Sequence, residues 1–510
     1  MHSSPQYIVS IHLGASALSL LVTQVIDDEE EILEFLEQPV PFARDIFGSG
    51  RVRRETIERC VDILQNYLKV LSEFGITIEG ITIAAITNIL REAKNRHVVL
   101  NRLEVALGMK FAEISNGSMT RLIFNKAKRH LIASEFDTSG KVLLIHVGPG
   151  NTRLLLLHNG KVERFSTYRL GSHRTAEALY QDYMNGKDYL TIINGHCAPF
   201  IDSIQYDFRN EDLSALILIG NEIQKVERVQ GKHKISKSLE KYQKTLQSCA
   251  EMSEEERIKV FQLDYHSEDA FLPSLQINYS LVNGLGVDKY WIPASDYEQG
   301  LLIDLPITRT RNYHFSEESL HAARLLAKKY GADPRHYEHV LTLCEDLFNQ
   351  TKDIHRMGEW ELFLLQITAI VHEVGGYIAP QMHHKHSYYL ITHSEIFGID
   401  QQSNEIIALV SRYHRQSPPK LSHEEYRRLS REDQVLVSKL SALLRVADAL
   451  DAALKQRISN LAVSQEKKNL ILTVDGPRRM ELEKIAIRQK GNLFEEIFGL
   501  KLKLRTSSQI

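Results

Sequence analysis

Several residues in the C-terminal half of the chain carry chemistry where a helix should be apolar. His336 precedes Val340 and Cys344 by one and two helical turns, which places it on a packed face. Asp448 follows Leu440 and Leu444 at the same spacing, and His372-Glu373 closes the apolar run Phe363 to Val371 just before Gly375-Gly376. A carboxylate on such a face is costly to bury unless a partner or a metal meets it. Two histidines, an acid and a distant aspartate carried by three helices form a ligand set for a divalent metal. Taken one at a time, each reads equally well as a core residue with an ordinary hydrogen bond.

A second constellation lies near the N-terminus. Ile11-His12-Leu13-Gly14 and Ile145-His146-Val147-Gly148 each deliver an apolar strand into a glycine turn, followed by small residues and another apolar strand. Two such turns facing each other across a cleft would hold a phosphate chain from both sides, because consecutive backbone N–H groups in a turn form an anion-binding concavity.

These residues need elements to position them. Tyr7 to Leu13 and Leu18 to Val25 predict a hairpin around Gly14. Ile57, Val61, Leu64, Leu68 and Leu71 predict a helix over Glu55 to Phe74, and Ile81 to Thr87 a short buried strand. Val142 to Val147 and Arg153 to Leu157 predict strands, and Asn159-Gly160 a type I′ turn into the next one. The polar stretch Asn221 to Glu256 reads as a solvated helical face, or as a polyanion path flanked by Lys225, Arg228, Lys232, Lys234 and Lys237. From Ser316 to about Arg457 the pattern is helical, and the final fifty residues read as a small α+β appendage.

Composition narrows the classes. The 510 residues carry 62 Lys+Arg against 65 Asp+Glu, a net charge of −3, which excludes a globally basic nucleic-acid binder. A hydrophobic share of 43% with 25% charged residues is globular rather than disordered or fibrous. No run approaches the ~18 apolar residues of a membrane span, and residues 1–5 lack the features of a signal peptide. The four cysteines (Cys60, Cys197, Cys249, Cys344) are far apart, without the spacing of a zinc cage or disulfide framework. The expectation is a cytoplasmic protein without membrane or nucleic-acid partners.

The run Pro380-Gln381-Met382-His383-His384-Lys385-His386-Ser387-Tyr388-Tyr389-Leu390-Ile391, then Arg412-Tyr413-His414-Arg415, then Leu444-Arg445-Val446-Ala447-Asp448-Ala449-Leu450-Asp451, resembles the C-terminal half of the exopolyphosphatase/guanosine pentaphosphate phosphohydrolase (Ppx/GppA) family. The resemblance extends over essentially the whole chain. It implies α/β plus α architecture: two actin-like (ribonuclease H-like) lobes at 1–130 and 131–305, an all-helical HD-like domain at 306–457, and a small α+β C-terminal domain at 458–510. It also implies hydrolysis of terminal phosphates of polyphosphate or guanosine pentaphosphate with Mg²⁺, and a homodimer.

The catalytic half departs from that pattern. The family's first turn reads Ile-Asp-x-Gly-Ser-Asn-Ser; here it is Ile11-His12-Leu13-Gly14-Ala15-Ser16-Ala17. Its second turn, Asp-Ile-Gly-Gly-Gly-Ser-Thr-Glu, is here His146-Val147-Gly148-Pro149-Gly150-Asn151-Thr152-Arg153, and Pro149 removes a backbone N–H. The stretch that carries the family's catalytic glutamate reads Ile114-Ser115-Asn116-Gly117-Ser118-Met119-Thr120-Arg121, with no acid. Thus His12, Gly117, Ser118, His146 and Arg153 stand at degenerate catalytic positions. Arg91, in Leu90-Arg91-Glu92, matches the family's phosphate-contacting arginine; with Gly14, Gly148, Gly150, Asn151 and Thr152 it forms the expected phosphate-binding set.

Histidine is a poor Mg²⁺ ligand, and removing a positioned base costs ~10²–10⁴ in rate. Three readings follow. The chain binds polyphosphate or a guanosine polyphosphate with hydrolysis weak or lost. Alternatively, it is an active exopolyphosphatase using Glu92 or Glu222 as a substitute base. Or it is a metal-dependent phosphohydrolase acting in the helical half through a divalent ion held by His336, His372, Glu373 and Asp448.

Overall fold

The computed structural model describes residues 6–26, 29–133, 139–179, 188–230, 238–287, 289–293, 297–308, 316–415, 417–477 and 480–507. The chain divides into two compact units, Met1–Thr310 and Arg311–Ile510.

The first unit contains two five-stranded sheets. In the first, β1 (Gln6–Leu13), β2 (Ala17–Ile26) and β3 (Glu29–Pro39) run antiparallel, and β4 (Ile83–Ile86) then β5 (Ala112–Glu113) add in parallel beside β1. In the second, β6 (Lys141–Val147), β7 (Thr152–His158) and β8 (Lys161–Tyr168) run antiparallel, with β9 (Leu213–Ile219) and β10 (Tyr290–Trp291) parallel beside β6. The orders β3-β2-β1-β4-β5 and β8-β7-β6-β9-β10 are the same arrangement built twice. The short repeat around Gly14 and Gly148 is therefore the visible trace of a repeated sheet.

Parallel pairing requires a crossover. The helix Arg54–Glu73 supplies one for the first sheet, burying Ile57, Val61, Leu64 and Leu71 as their spacing predicts. Strands covered on both faces become continuous apolar runs, as β6 and β9 show with Val142–Ile145 and Leu216–Ile219 at 0% exposure. Asn159 and Gly160 both take positive φ (52° and 72°), as a type I′ turn demands. The solvated-face reading of Asn221 to Glu256 needs correction. The helix Asn221–Gln230 buries Glu222, Ile223, Gln224, Val226 and Glu227, whereas Lys232, Lys234 and Lys237 lie outside the described residues.

The second unit is helical from Ser316 to Leu450, followed by the sheet β11 (Asn460–Glu466), β12 (Asn469–Asp475) and β13 (Lys501–Thr506). Leu470, Leu472, Val474 and Phe494 belong to the same apolar core as Val340, Leu364 and Leu444. The C-terminal strands thus share the core of the helices. Among the described residues, no helix is long and apolar enough to cross a membrane.

Candidate functional site

The two glycine turns of the first unit line one cleft. Its walls include His12, Gly14–Ala17, Asn88, Met119, His146, Gly148–Asn151, Arg153, Glu222, Tyr297 and Glu298, around a free volume of about 70 Å³. That is room for a phosphate-sized group and far below the ~300–1,000 Å³ of pockets for larger ligands.

The turns are built alike. Gly14 N–H donates to the Ala17 carbonyl (2.8 Å), and Gly148 N–H to the Asn151 carbonyl (3.0 Å). A Cβ on Gly14 would lie 3.3 Å from His12 Cε1, and one on Gly148 2.8 Å from His146 Cε1, so each histidine ring folds back over its own turn. Gly171 seals the second turn from behind: a Cβ there would lie 2.5 Å from the Gly150 carbonyl carbon and the Pro149 oxygen. Only glycine fits this close approach.

Each histidine takes a partner from one helix, Tyr297–Asp304. His12 Nδ1 lies 2.6 Å from Glu298 Oε1, which also accepts from Ser19 Oγ at 3.3 Å. His146 Nε2 lies 2.8 Å from the Tyr297 hydroxyl, with the rings stacked at 5.5 Å, and Lys126 Nζ sits 4.5 Å from the centroid of the same tyrosine. Burial, reinforced by the Arg153 and Lys126 charges, holds His146 well below the ordinary histidine pKa, so its ring is neutral near pH 7. Arg153, 4% exposed, donates to Asn116 Oδ1 (3.3 Å), which also bonds Asn88.

The carboxylates are distributed unequally. Glu222, in the first turn of its helix, lines the cleft at 7% exposure, with Ser274 Oγ donating to Oε2 at 3.2 Å. Burial raises its pKa above the ordinary glutamate range, outweighing Lys225 and the Ser274 hydrogen bond. Glu92, the other candidate base, pairs instead with Arg174 (2.6 Å) and Arg169 (3.0 Å).

Several expected site residues stand elsewhere. Thr152 is fully buried and donates its hydroxyl to the Leu170 carbonyl at 2.7 Å, because strand alternation turns it inward from the cleft. Arg91 is exposed on the 3₁₀ turn Asn88–Glu92, whose Asn88 and Ile89 line the cleft while Arg91 does not. Gly117 and Ser118 lie in the first turn of the helix Asn116–Ala133, but the residue that reaches the cleft from that turn is Met119. Sequence reasoning did not find Tyr297 and Glu298, for no local pattern signals that a helix 286 residues after His12 returns to it.

The fit to Mg²⁺ is poor at these turns. Mg²⁺ demands near-octahedral oxygen ligation. Both strand ends present imidazole, and the carboxylate that meets the first of them, Glu298, is tied to His12 and Ser19. The cleft is lined by turn backbone, one guanidinium (Arg153) and the carboxylates of Glu37, Glu222 and Glu298, of which Glu222 is buried.

In the second unit His336, His372 and Glu373 converge, and Glu373, His383 and His414 form a second group of ligand atoms within 4.8 Å of one another. Asp448 lies 3.6 Å from His336 Nε2, but Lys490 also takes its carboxylate.

The chain matches the Ppx/GppA phosphatase family over residues 22–304 and domain III of Ppx/GppA phosphatases over residues 320–486. The guanosine-5'-triphosphate,3'-diphosphate pyrophosphatase of Photobacterium profundum is 20% identical over 497 residues, covering 95% of this chain and 96% of that protein. The protein of the same name from Pseudoalteromonas translucida is 22% identical over 413 residues, covering 79% and 80%. An exopolyphosphatase from Cytophaga hutchinsonii shares the mixed α/β fold, with a TM-score of 0.51 at 15% identity over 59% of this chain and 98% of that one.

Proposed function

The chain belongs to the Ppx/GppA phosphatase family, and from that premise we propose that it binds the phosphate end of polyphosphate or of a guanosine polyphosphate and releases orthophosphate with Glu222 as base. The activity carried by the relatives' names supports the reaction class. The observation that carries the residue assignment is that Glu222 lines the same small cleft as both glycine turns and Arg153. A buried carboxyl with a raised pKa is a stronger base than an exposed one when ionised. Arg153 and the turn backbone would hold the charge that develops on the transferred phosphoryl group.

On this reading the two sheets are the cores of two ribonuclease H-like lobes, supported by their repeated strand order, and the helical part of the second unit is HD-like. A cleft of about 70 Å³ favours a chain end over a whole nucleotide, so long-chain polyphosphate should be the better substrate. A second reading, binding without turnover, is favoured by two observations: Met119 stands where the family carries glutamate, and Glu298 is occupied by His12.

The test is the initial rate of orthophosphate release from long-chain polyphosphate and from guanosine 5'-triphosphate 3'-diphosphate by the full chain. Release from polyphosphate exceeding that from the nucleotide is expected. Saturable binding with release at the buffer rate would establish the second reading, and release from neither with no binding would end both.

A further inference from the structure

The helical unit contains a cluster that the cleft chemistry does not use. Four histidines there are oriented alike. His372 Nδ1 lies 2.8 Å from the Ala369 carbonyl, His414 Nδ1 2.5 Å from the Ser411 carbonyl, and His383 Nδ1 3.1 Å from the Pro380 carbonyl. His336 Nδ1 lies 2.8 Å from Asp451 Oδ2. A carbonyl oxygen only accepts, so Nδ1 of His372, His383 and His414 carries the proton and each of these rings, when neutral, presents a bare Nε2 lone pair. His336, between the Asp451 and Asp448 carboxylates, is held protonated and must release its Nε2 proton to bind an ion. Metal-binding histidines are oriented in this way by their outer partners.

The Nε2 atoms face one another and Glu373. His383 Nε2 lies 3.1 Å from His414 Nε2, so the two nitrogens share either one proton or one metal ion between them. Glu373 reaches both sides: Oε2 is 3.9 Å from His336 Nε2, and Oε1 is 3.8 Å from His383 Nε2. His336 (2% exposed) and His372 (0%) each bury an Nε2 that has no hydrogen-bond partner among the described residues. Ligands about 2.0–2.1 Å from one ion lie about 3.0–3.4 Å from each other; the ligand atoms of each group lie within 4.8 Å of one another, so side-chain movement closes them on a metal.

We propose that the second unit holds two divalent transition-metal ions bridged by the Glu373 carboxylate, one on His336 and His372 and the other on His383 and His414. The nitrogen-rich donor set selects borderline ions such as Zn²⁺ or Co²⁺ over Mg²⁺. Asp448 completes the first position only by leaving Lys490. The expected four-residue set is thereby extended by His383 and His414, and Asp448 becomes a conditional ligand. Bidentate bridging explains why a glutamate, one methylene longer than aspartate, suits a position between two histidine pairs. Glu373 is about a third exposed, so one side of the pair of ions faces solvent and keeps coordination positions open.

The test is titration of chelator-stripped full-length protein with Co²⁺, followed by elemental analysis and visible absorption. Two equivalents per chain are expected, with d–d bands in the visible. His414→Gln and His372→Gln should each retain one equivalent, and His384→Gln, beside the cluster but outside it, should retain two. Circular dichroism separates loss of metal from loss of fold, and His336→Gln provides an independent reading of the first position. Less than half an equivalent in the wild type, one equivalent lost equally from both sides, or identical binding by all variants would each overturn the two-ion centre.

Discussion

Glu222→Gln is expected to lower orthophosphate release from polyphosphate by about 100-fold or more while leaving affinity for the same chain nearly unchanged. The loss is that of a positioned base, ~10²–10⁴ in rate. The substitution keeps size and shape, and the amide can still accept the Ser274 hydroxyl. It should not cost stability at neutral pH. A carboxyl whose folded pKa is raised by burial binds its proton more tightly folded than unfolded, so ionising it opposes folding as pH rises. Removing the charge is therefore neutral or stabilising at pH 7, and lost rate cannot be ascribed to lost fold. The pH profile gives a second reading. The base works ionised, so kcat/KM should rise with pH along an acidic limb placed above the ordinary glutamate value of about 4.3. That limb should vanish in Glu222→Gln. Equal rates for wild type and variant would remove Glu222 from the chemistry.

Gly375→Ala is expected to be the most damaging single-carbon change in the second unit. An added Cβ would fall on the His383 carbonyl oxygen and the Ser387 nitrogen, and within 2.8 Å of the His386 carbonyl carbon. All three are backbone, which cannot rotate away. Gly375 N–H also donates to Ser387 Oγ (2.9 Å), which donates in turn to the His372 carbonyl (2.7 Å). The helix His383–Thr392 is thus held against the His372-Glu373 turn at this glycine. Overpacking costs typically 1–3 kcal/mol, and rigid backbone contacts put this case at about 3 kcal/mol. For a unit of this size that is a fall of about 6–12 °C in Tm. Gly376→Ala, where nothing lies within 4 Å of the new carbon, is the control and should melt near the wild type. Equal melting of the two variants would show that this contact does not set the packing.

Much of the fold was legible because it is written in local periodicity. The helix Arg54–Glu73, the Asn159-Gly160 turn and the paired strand–glycine turns all follow from spacings of two to four residues. The packed face of His336, Val340 and Cys344 was legible for the same reason. The cleft was legible only where strands end in it. Tyr297 and Glu298 come from a distant helix, and Met119 rather than Ser118 reaches the cavity because helix rotation decides which residue of a turn faces inward. The resemblance to the family's second turn puts Thr152 in the phosphate-binding set, yet it begins β7 and points into the core. In the helical unit, His383 and His414 stood out in sequence as signature residues. Their common focus on Glu373 depends on three segments meeting, which no spacing encodes. Ser387 is similar: its place in the motif is visible, but its link from Gly375 to His372 is not.

The central claim is that the phosphate chain end sits between the two glycine turns, against Arg153. Equilibrium binding of labelled long-chain polyphosphate to the full wild-type chain and to Arg153→Ala, at one salt concentration, tests it most directly. Charge-assisted hydrogen bonds are worth about 1.5–3 kcal/mol, so the variant should bind about tenfold more weakly or worse. Equal affinities would place the anion elsewhere on the chain and contradict the account.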